Sequence, residues 1–376
     1  MPADDLGNSE IPPFWPRKSP HFREVRTAVK QALETLETRE ALGALGALSG
    51  QAFVARRESP QVIYAGLSGG ADSLALVAAL CAETRGTDTC VHALCVDHGL
   101  QAGSRDVAEQ AAAQAREWGA LATVISVDIE KHSPAGTEAE ARRARYRAFA
   151  EVAGEDGEGE SHPGPVMVAH TAEDQAENLL LSSLRGHASA MSFATDIEGA
   201  QVLRPLLNIR RAHTQGACAE LGVSVWNDPH NDREDFRRVA IRKQVLPMLS
   251  EIIGGDAIAP LAAAAHDVAA DDEVLNSLIP DEYDKGEGSI EKSEELDCND
   301  LSLLAQPVRK RIIARWLVAK DILVTRAGLD GIDALCSAWS GQGGVAVADT
   351  YTKIPHSRLE VVRVGGKLRL LRFNAP

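Results

Sequence analysis

The 376 residues contain no apolar run approaching the ~20 residues that a membrane-crossing helix needs. The first 22 residues place Pro, Asp and Asn where a secretory signal requires an unbroken apolar core, so export is not expected and the chain reads as a soluble, cytoplasmic protein. No Cys-x-x-Cys pair occurs among the six cysteines, Cys81, Cys90, Cys95, Cys218, Cys298 and Cys336. Three of these lie in apolar surroundings, where a thiol behaves as a small hydrophobe. Zinc and iron–sulfur centres are not expected, and the cysteines read as reduced and structural. Internal repeats are absent. Net positive charge is missing as well: the formal balance is −15, which taken alone argues against a nucleic-acid partner, since gripping a phosphate backbone takes clustered Lys and Arg. The distribution of that charge removes the objection. Residues 271–300 hold twelve Asp/Glu against two Lys, a local balance of −10 that leaves −5 for everything else, and basic clusters survive outside the segment.

What is present is an ordinary globular composition, 44% apolar and 25% charged, in a chain longer than one domain usually runs. By composition residues 1–22 read as a disordered tail, and 23–56 as a helical extension with Val25, Val29, Leu33 and Leu36 at helical spacing. A main domain follows over 57–250. In it, short apolar strands at 61–67, 91–96, 121–127 and 166–169 alternate with helices at 72–82, 104–118, 137–152 and 172–184, Ser104 serving as a cap. That alternation predicts an α/β fold with a doubly wound parallel sheet. Residues 251–376 read as a C-terminal α+β module, with helices near 258–279, 301–320 and 326–340 and an acidic insert at 271–300. Its last two strands meet at Gly365-Gly366, a strong hairpin signal.

The chemistry concentrates in Ser68-Gly69-Gly70-Ala71-Asp72-Ser73, between the first strand and its helix. Two glycines let the backbone approach an anion with no Cβ in the way, and the leading N–H groups of a helix face that anion with the positive end of the macrodipole. Ser68 and Ser73 add hydroxyl donors. The segment lacks the Gly-Lys-Ser/Thr of a Walker A loop, and with it the lysine that reaches the terminal phosphates. Cleavage between the α and β phosphates of ATP is therefore favoured over γ-phosphoryl transfer. Asp72 would be repelled by phosphate unless a cation sat between them, which assigns it to Mg2+. A glycine-rich turn with an acidic helix cap is the plain alternative.

In this setting the segment resembles the Ser-Gly-Gly-x-Asp-Ser signature of the PP-loop, or N-type, ATP pyrophosphatases, and four further segments resemble the tRNA(Ile)-lysidine synthetase family. Asp97-His98-Gly99-Leu100, at the end of the second strand, is similar to that family's nucleotide-pocket turn and implies ATP contacts from Asp97 and His98. Glu138, Arg142, Arg145 and Tyr146 match a basic family helix whose spacings of three and four bring the two guanidiniums near one face. His170 to Asn178 resembles the family's acidic element, in which Asp174 and Glu177 would hold lysine or a second Mg2+. Thr171 and Asn178 depart from it, standing where the family has His and Thr. Arg204-Pro205-Leu206-Leu207, Asp228, Asn231, Arg237, Arg238, Arg242 and Leu246-Pro247-Met248-Leu249 complete the likeness, with Val239 and Ala240 replacing a family Asn and Arg. The resemblance covers roughly 60–250.

The resemblance implies ATP-dependent ligation of free L-lysine to C2 of the wobble cytidine of an isoleucine tRNA with a CAU anticodon, by way of an adenylated cytidine. Ser68 to Ser73, Asp97 and His98 would bind ATP, Asp72 the metal, and Asp174 and Glu177 the lysine. Arg142, Arg145, Arg238 and Arg242 would bind tRNA, while Asp72, Arg142 and Asp174 would be catalytic. Arg309-Lys310-Arg311 and 353–372 are candidates for gripping the tRNA body. A homodimer is compatible with the sequence, which does not fix the oligomeric state. Two alternatives remain open on sequence grounds. A tRNA thiolase or amide ligase of the same loop class is one, although only Cys90 and Cys95 come near the loop and no glutaminase motif is visible. A catalytically silent nucleotide- or RNA-binding module is the other.

Overall fold

Alternating side chains assign the first strands to a sheet covered on both faces. Along Val62–Gly66 (β1), Ile63 and Ala65 enter one apolar cluster and Tyr64 the other, the period of two expected of such a strand. The computed structural model describes residues 14–47, 61–99, 103–129, 137–155, 164–226, 237–284, 290, 292–349 and 357–374. It divides into two compact units, one from Met1–Ile129, Ala141–Leu179 and Met191–Ala264, the other from Glu130–Glu140, Leu180–Ala190 and Ala265–Pro376.

In the first unit β1 is followed by Cys90–Asp97 (β2), Leu121–Ser126 (β3), Val166–Met167 (β4), Ala194–Ile197 (β5) and Ala200–Leu203 (β6), in the order β3-β2-β1-β4-β6-β5. All pairings are parallel except β5 with β6, so the expected parallel sheet carries an antiparallel edge hairpin that the strand–helix alternation does not announce. The helices are α1 (Pro20–Ala47), α2 (Ala71–Glu83), α3 (Ser104–Glu117), α4 (Thr137–Glu155), α5 (Ala172–Ser183), α6 (Arg211–Leu221), α7 (Arg237–Ala240) and α8 (Leu246–Ile253). One π-helical turn, Ile241–Val245, joins the last two. Helix α2 is buried at every position from Ser73 to Ala82, as a central helix enclosed by the sheet, α1 and α6 must be. Tyr146 and Phe149 of α4 cover the opposite face of the sheet.

Two local expectations are corrected. Disorder over 1–22 does not extend to the described residues of that segment: Phe14 stacks on Trp118 with centroids 6.0 Å apart, Arg26 lies 4.5 Å over Trp15, and Phe22 is fully buried. Composition registered the prolines and polar residues there, whereas the ordering comes from tertiary aromatic contacts. Residues 1–13 and 48–56 lie outside the described residues. Ser104 does not cap α3. The cap is Gly103 at φ +84°, and the Ser104 hydroxyl donates instead to Asp97 Oδ1 at 2.6 Å, which braces the end of β2.

The chain continues through α9 (Ile258–Ser277) and α10 (Asp281–Asp284), so the boundary expected at 250 falls inside the first unit. The second unit is built on the antiparallel sheet β7-β10-β9-β8, from Glu295–Asp297 (β7), Val345–Val347 (β8), Ser357–Val364 (β9) and Lys367–Asn374 (β10). Against it pack α11 (Cys298–Leu303), α12 (Gln306–Val318) and α13 (Arg326–Ser337), around a fully buried Trp316. The single helix expected at 301–320 is interrupted because Pro307 takes a first-turn position in α12. Gly365 and Gly366 adopt φ +60° and +84°, the two left-handed residues that a tight hairpin needs. Among the described residues no single helix is long and apolar enough to cross a membrane.

Candidate active site

The parallel strands send their carboxyl ends to one edge of the sheet, and the chain winds outward in opposite directions from β1, which is where open α/β sheets bind ligands. The connections after β1, β2, β4 and β6 meet there. In the first, Gly69 takes φ +82°, a conformation that strains any other residue, and a Cβ on it would meet Val107 Cγ1 at 3.3 Å. Gly70 is extended, and its added Cβ would find only Ser68 Oγ at 3.6 Å, so glycine here keeps the space before the loop clear without relieving strain. No side chain caps α2, which leaves its leading N–H groups for an anion. Ser73, expected as a phosphate donor, is engaged within the loop: its Oγ accepts from Ser68 N at 3.1 Å and donates to Gly70 O at 3.0 Å. Ser68 is exposed, and its hydroxyl donates to Ser73 Oγ at 3.1 Å, leaving its lone pairs and position at the surface for a ligand to engage, while Ser73 shapes the turn.

Asp72 points toward the start of α6. Its Oδ2 accepts from Arg211 Nε at 3.1 Å and its Oδ1 from the Thr214 hydroxyl. The same guanidinium donates to Asp174 Oδ1 at 3.0 Å and approaches Glu177 Oε1 at 4.0 Å. Asp174 and Glu177 share one face of α5 at a spacing of three. Thr171, which departs from the resembled motif, gives Asp174 Oδ2 a backbone bond of 2.8 Å and a hydroxyl bond of 3.0 Å. Arg242, on the π-helical turn, holds both oxygens of Glu177 at 2.6 and 3.1 Å and lies 3.6 Å from Asp174. Its side chain is thus committed to the acidic pair that was expected to bind lysine. Glu173 accepts from Arg210 Nε and from the Arg211 backbone, each at 2.8 Å, and so fixes where α6 begins.

The carboxylates differ electrostatically. Burial pushes Asp72 above its usual range against the pull of Arg211 and Thr214. Burial also works to raise Asp174, but Arg211, His170, the Thr171 amide and Arg242 together outweigh it and hold that group below its usual range. Glu177 goes the other way, burial prevailing over Arg242. Arg211, Thr214, Glu173 and Arg210 were not singled out from the sequence. The only signal was a pair of arginines just after Arg204-Pro205-Leu206-Leu207, and nothing local says that the second one faces Asp72.

Beside these acids, joined to them through His170, lies a basic wall. Arg145 donates to His98 Nε2 at 3.1 Å. A guanidinium cannot accept, so the His98 proton sits on Nδ1, a buried donor with no partner among the described residues. Burial, then Arg145, brings His98 down to about 4, and burial brings His170 to about 4, with Arg204, Arg142 and Arg238 close enough to disfavour its protonation further. Arg142 also lies 4.9 Å over the buried Tyr146 ring. Asp97 is engaged by Ser104 and by the Gly99 amide at 3.0 Å, holding the turn that presents His98. Arg204 is buried and donates to Ser192 O at 2.7 Å. Leu100, Asp228, Asn231 and the Glu138 side chain lie outside the described residues.

In the second unit several basic side chains of the stretches proposed for phosphate contact are paired internally, Lys353 lying outside the described residues. Arg309 is buried on Asp333 at 2.6 Å, Lys310 pairs with Asp330 and Arg311 with Asp272. Lys367 and Arg369 share Glu295, and Arg372 meets Asp349 at 2.8 Å. Counting Lys and Arg along the sequence does not reveal these carboxylates, which come from other elements.

A lysine-free anion loop at the switch of a parallel sheet, with an acidic residue in the first helical turn, defines an ATP-using PP-loop enzyme, and residues 47–249 match the PP-loop domain family. The chain is 42% identical over 372 residues to the tRNA(Ile)-lysidine synthase of Corynebacterium glutamicum, covering 98% of this chain and 99% of that one. It is 43% identical over 355 residues to the Corynebacterium diphtheriae protein of the same name, covering 94% and 98%. A solved structure of the U34-tRNA thiolase NcsA from Methanococcus maripaludis is similar with a TM-score of 0.47 and 14% identity, covering 69% of this chain and 80% of that chain. The chain belongs to the tRNA(Ile)-lysidine synthase family.

Proposed function

We propose that this chain ligates free L-lysine to C2 of the wobble cytidine of an isoleucine tRNA bearing a CAU anticodon, releasing AMP and diphosphate. The observation that carries this reading is that one guanidinium, Arg211, touches both Asp72 of the nucleotide loop and Asp174 of the acidic turn, so adenylation and amine attack share one chamber. In the first step the C2 carbonyl oxygen of cytosine attacks the α-phosphate, and diphosphate departs into the N–H groups at the head of α2 and the Ser68 hydroxyl. The wobble base must be splayed out of its loop to react, and Arg142, Arg145 and Arg238 on the basic wall steady it and the neighbouring phosphates. His98, held by Arg145 at the end of β2, shapes the nucleotide side of the same wall.

Asp72 is a hard oxygen donor, and Asp174 lies across the same guanidinium, so the acidic side already accommodates a cation between two carboxylates. That donor set fits Mg2+, which takes one or two carboxylates and completes its shell with phosphate and water; Asp72 would hold it. When bound, the ion supplies charge neutralisation on the departing diphosphate.

In the second step the ε-amine of lysine attacks C2 and expels AMP. Asp174 and Glu177, on one face of α5 beside the loop, are the acids toward which an ammonium group is drawn. Asp174, held as an anion, pairs with it, and Glu177, pushed up by burial, is the better proton acceptor. A thiolase reading is disfavoured because burial pushes the Cys95 thiol up to about 12, far from a thiolate. The test is transfer of labelled lysine, with ATP, to a CAU-anticodon isoleucine transcript and to a methionine tRNA control. Label should enter only the first, and Asp72→Ala should abolish it together with diphosphate release while circular dichroism stays unchanged. Label in neither RNA with wild-type protein would sink the proposal.

A further inference from the structure

Arg211 is the most connected side chain of the site. It is 17% exposed and starts α6, where its backbone amide is fixed by Glu173 and its guanidinium bonds Asp72, Asp174 and Thr171, the last at 3.4 Å. The carboxylates around it are thoroughly matched. Asp72 is divided between Arg211 and Thr214, Asp174 between Arg211 and Thr171, and Glu177 is clasped at both oxygens by Arg242. A cationic amine and Arg211 are therefore rivals for Asp174, because an acid oxygen saturated by a guanidinium offers little to an ammonium. A polyphosphate and Asp174 are in turn rivals for Arg211, since a planar guanidinium binds phosphate oxygens as readily as carboxylate oxygens. The guanidinium lies within bonding distance of a residue of the phosphate loop, so both rivalries act on the same group.

We propose that Arg211 is a positioning residue that couples the two substrates: polyphosphate at the loop draws its guanidinium off Asp174, and the amine then takes the place it leaves. This rests on the assignment of Asp174 and Glu177 to lysine. Nucleotide binding should strengthen amine binding, and by linkage the amine should strengthen nucleotide binding by the same factor. No bond to carbon or phosphorus changes in this step; one ion pair is exchanged for two others.

The test is calorimetric titration of full-length protein with L-lysine, in the absence and presence of α,β-methylene-ATP, and the reverse titration. Wild-type lysine affinity should rise by about 10-fold with the analogue, within the usual range of coupling between sites. In Arg211→Gln the factor should fall to near one, with lysine binding alone tighter than in wild type because Asp174 is no longer masked. Arg211→Lys keeps the charge without the planar fork and should retain only part of the coupling. A residue acting only as structural support would weaken both ligands and leave their ratio unchanged. Wild-type protein that transfers lysine to RNA but shows no coupling, or Arg211→Gln with wild-type coupling, overturns the inference and leaves the proposed function standing. If wild-type protein binds no lysine under either condition, the inference falls, and the label-transfer assay decides the proposed function separately. The wild-type measurement decides even where Arg211→Gln does not fold.

Discussion

Arg309 and Asp333 show how a basic residue that looks available in sequence can belong to the interior. Their side chains are 7% and 5% exposed, and Asp333 takes two bonds from the guanidinium while Leu304 O takes a third at 2.9 Å. Asp333→Ala should lower stability in urea by about 3–5 kcal/mol, since it leaves a buried charge without its partner, whereas the double substitution of Arg309→Met with Asp333→Leu, which makes the pair apolar, should be roughly neutral. Equal losses in the two variants would mean that packing, and not the lone charge, sets the cost. Residues were legible in the sequence where a short motif dictated its own geometry. Gly69 needs its positive φ, and Asp72 and the pair Asp174 and Glu177 do converge. Arg211 and Thr214 were not legible, because their meeting with Asp72 joins positions about 140 apart (|i−j| 139 and 142) through the tertiary fold. The sequence alone also could not separate Ser68, which the fold leaves exposed, from Ser73, which it buries within the loop.

Among the elements, α6 has the least sequence signature and the largest influence on the site. Its first residue carries the guanidinium that spans the acids, and its far end carries Glu220, whose carboxylate accepts from the His21 and Phe22 amides at 3.1 and 2.9 Å and so anchors the start of α1. Gly216 makes that approach possible. A Cβ there would lie 2.4 Å from His21 Cγ, at the root of the ring, where a small rotation gives no relief. Gly216→Ala should gain about 1 kcal/mol of helix propensity and lose about 1–3 kcal/mol to overpacking, a net loss of up to ~2 kcal/mol. A thermal melt of the full chain measures it, and a variant more stable than wild type would show that α1 gives way freely. The strands with regular alternation and the helices after them were legible, and so was the Gly365-Gly366 turn. The β5–β6 hairpin was not, since four-residue strands provide too short a period. The ordered aromatic lead into α1 also escaped, because Phe14 and Trp15 sit among prolines whose composition resembles a tail.

For the whole molecule, acidification sets two effects against each other. The net charge of −15 shrinks as the pH falls toward the pI near 5.2, which eases self-repulsion and favours the compact state. His98 and His170 act in the opposite direction. Burial holds both near 4 in the folded chain, against about 6.5 when exposed. Between those values the unfolded chain binds more protons than the folded one, so the histidine contribution is complete above pH 6.5 and is lost as the pH falls from about 6.5 to about 4. Below that window Asp97, Asp174 and Glu198, held low in the fold, add a further loss as they take up protons. Protonation there weakens the hydrogen bonds and arginine pairs that these carboxylates make as anions, whereas the raised Asp72 and Glu177 act earlier, taking up protons in the fold above their ordinary values and so opposing part of the histidine loss. A melting profile of wild type alone mixes all of this with the changing net charge. The difference between wild type and His170→Gln does not, because the two share every other titrating group. That difference should shift steadily in favour of the variant from pH 6.5 down to 4 and stay flat from 6.5 to 8. A difference that is flat across both ranges would mean that His170 titrates in the fold as it does in water, and that the pocket around it is open.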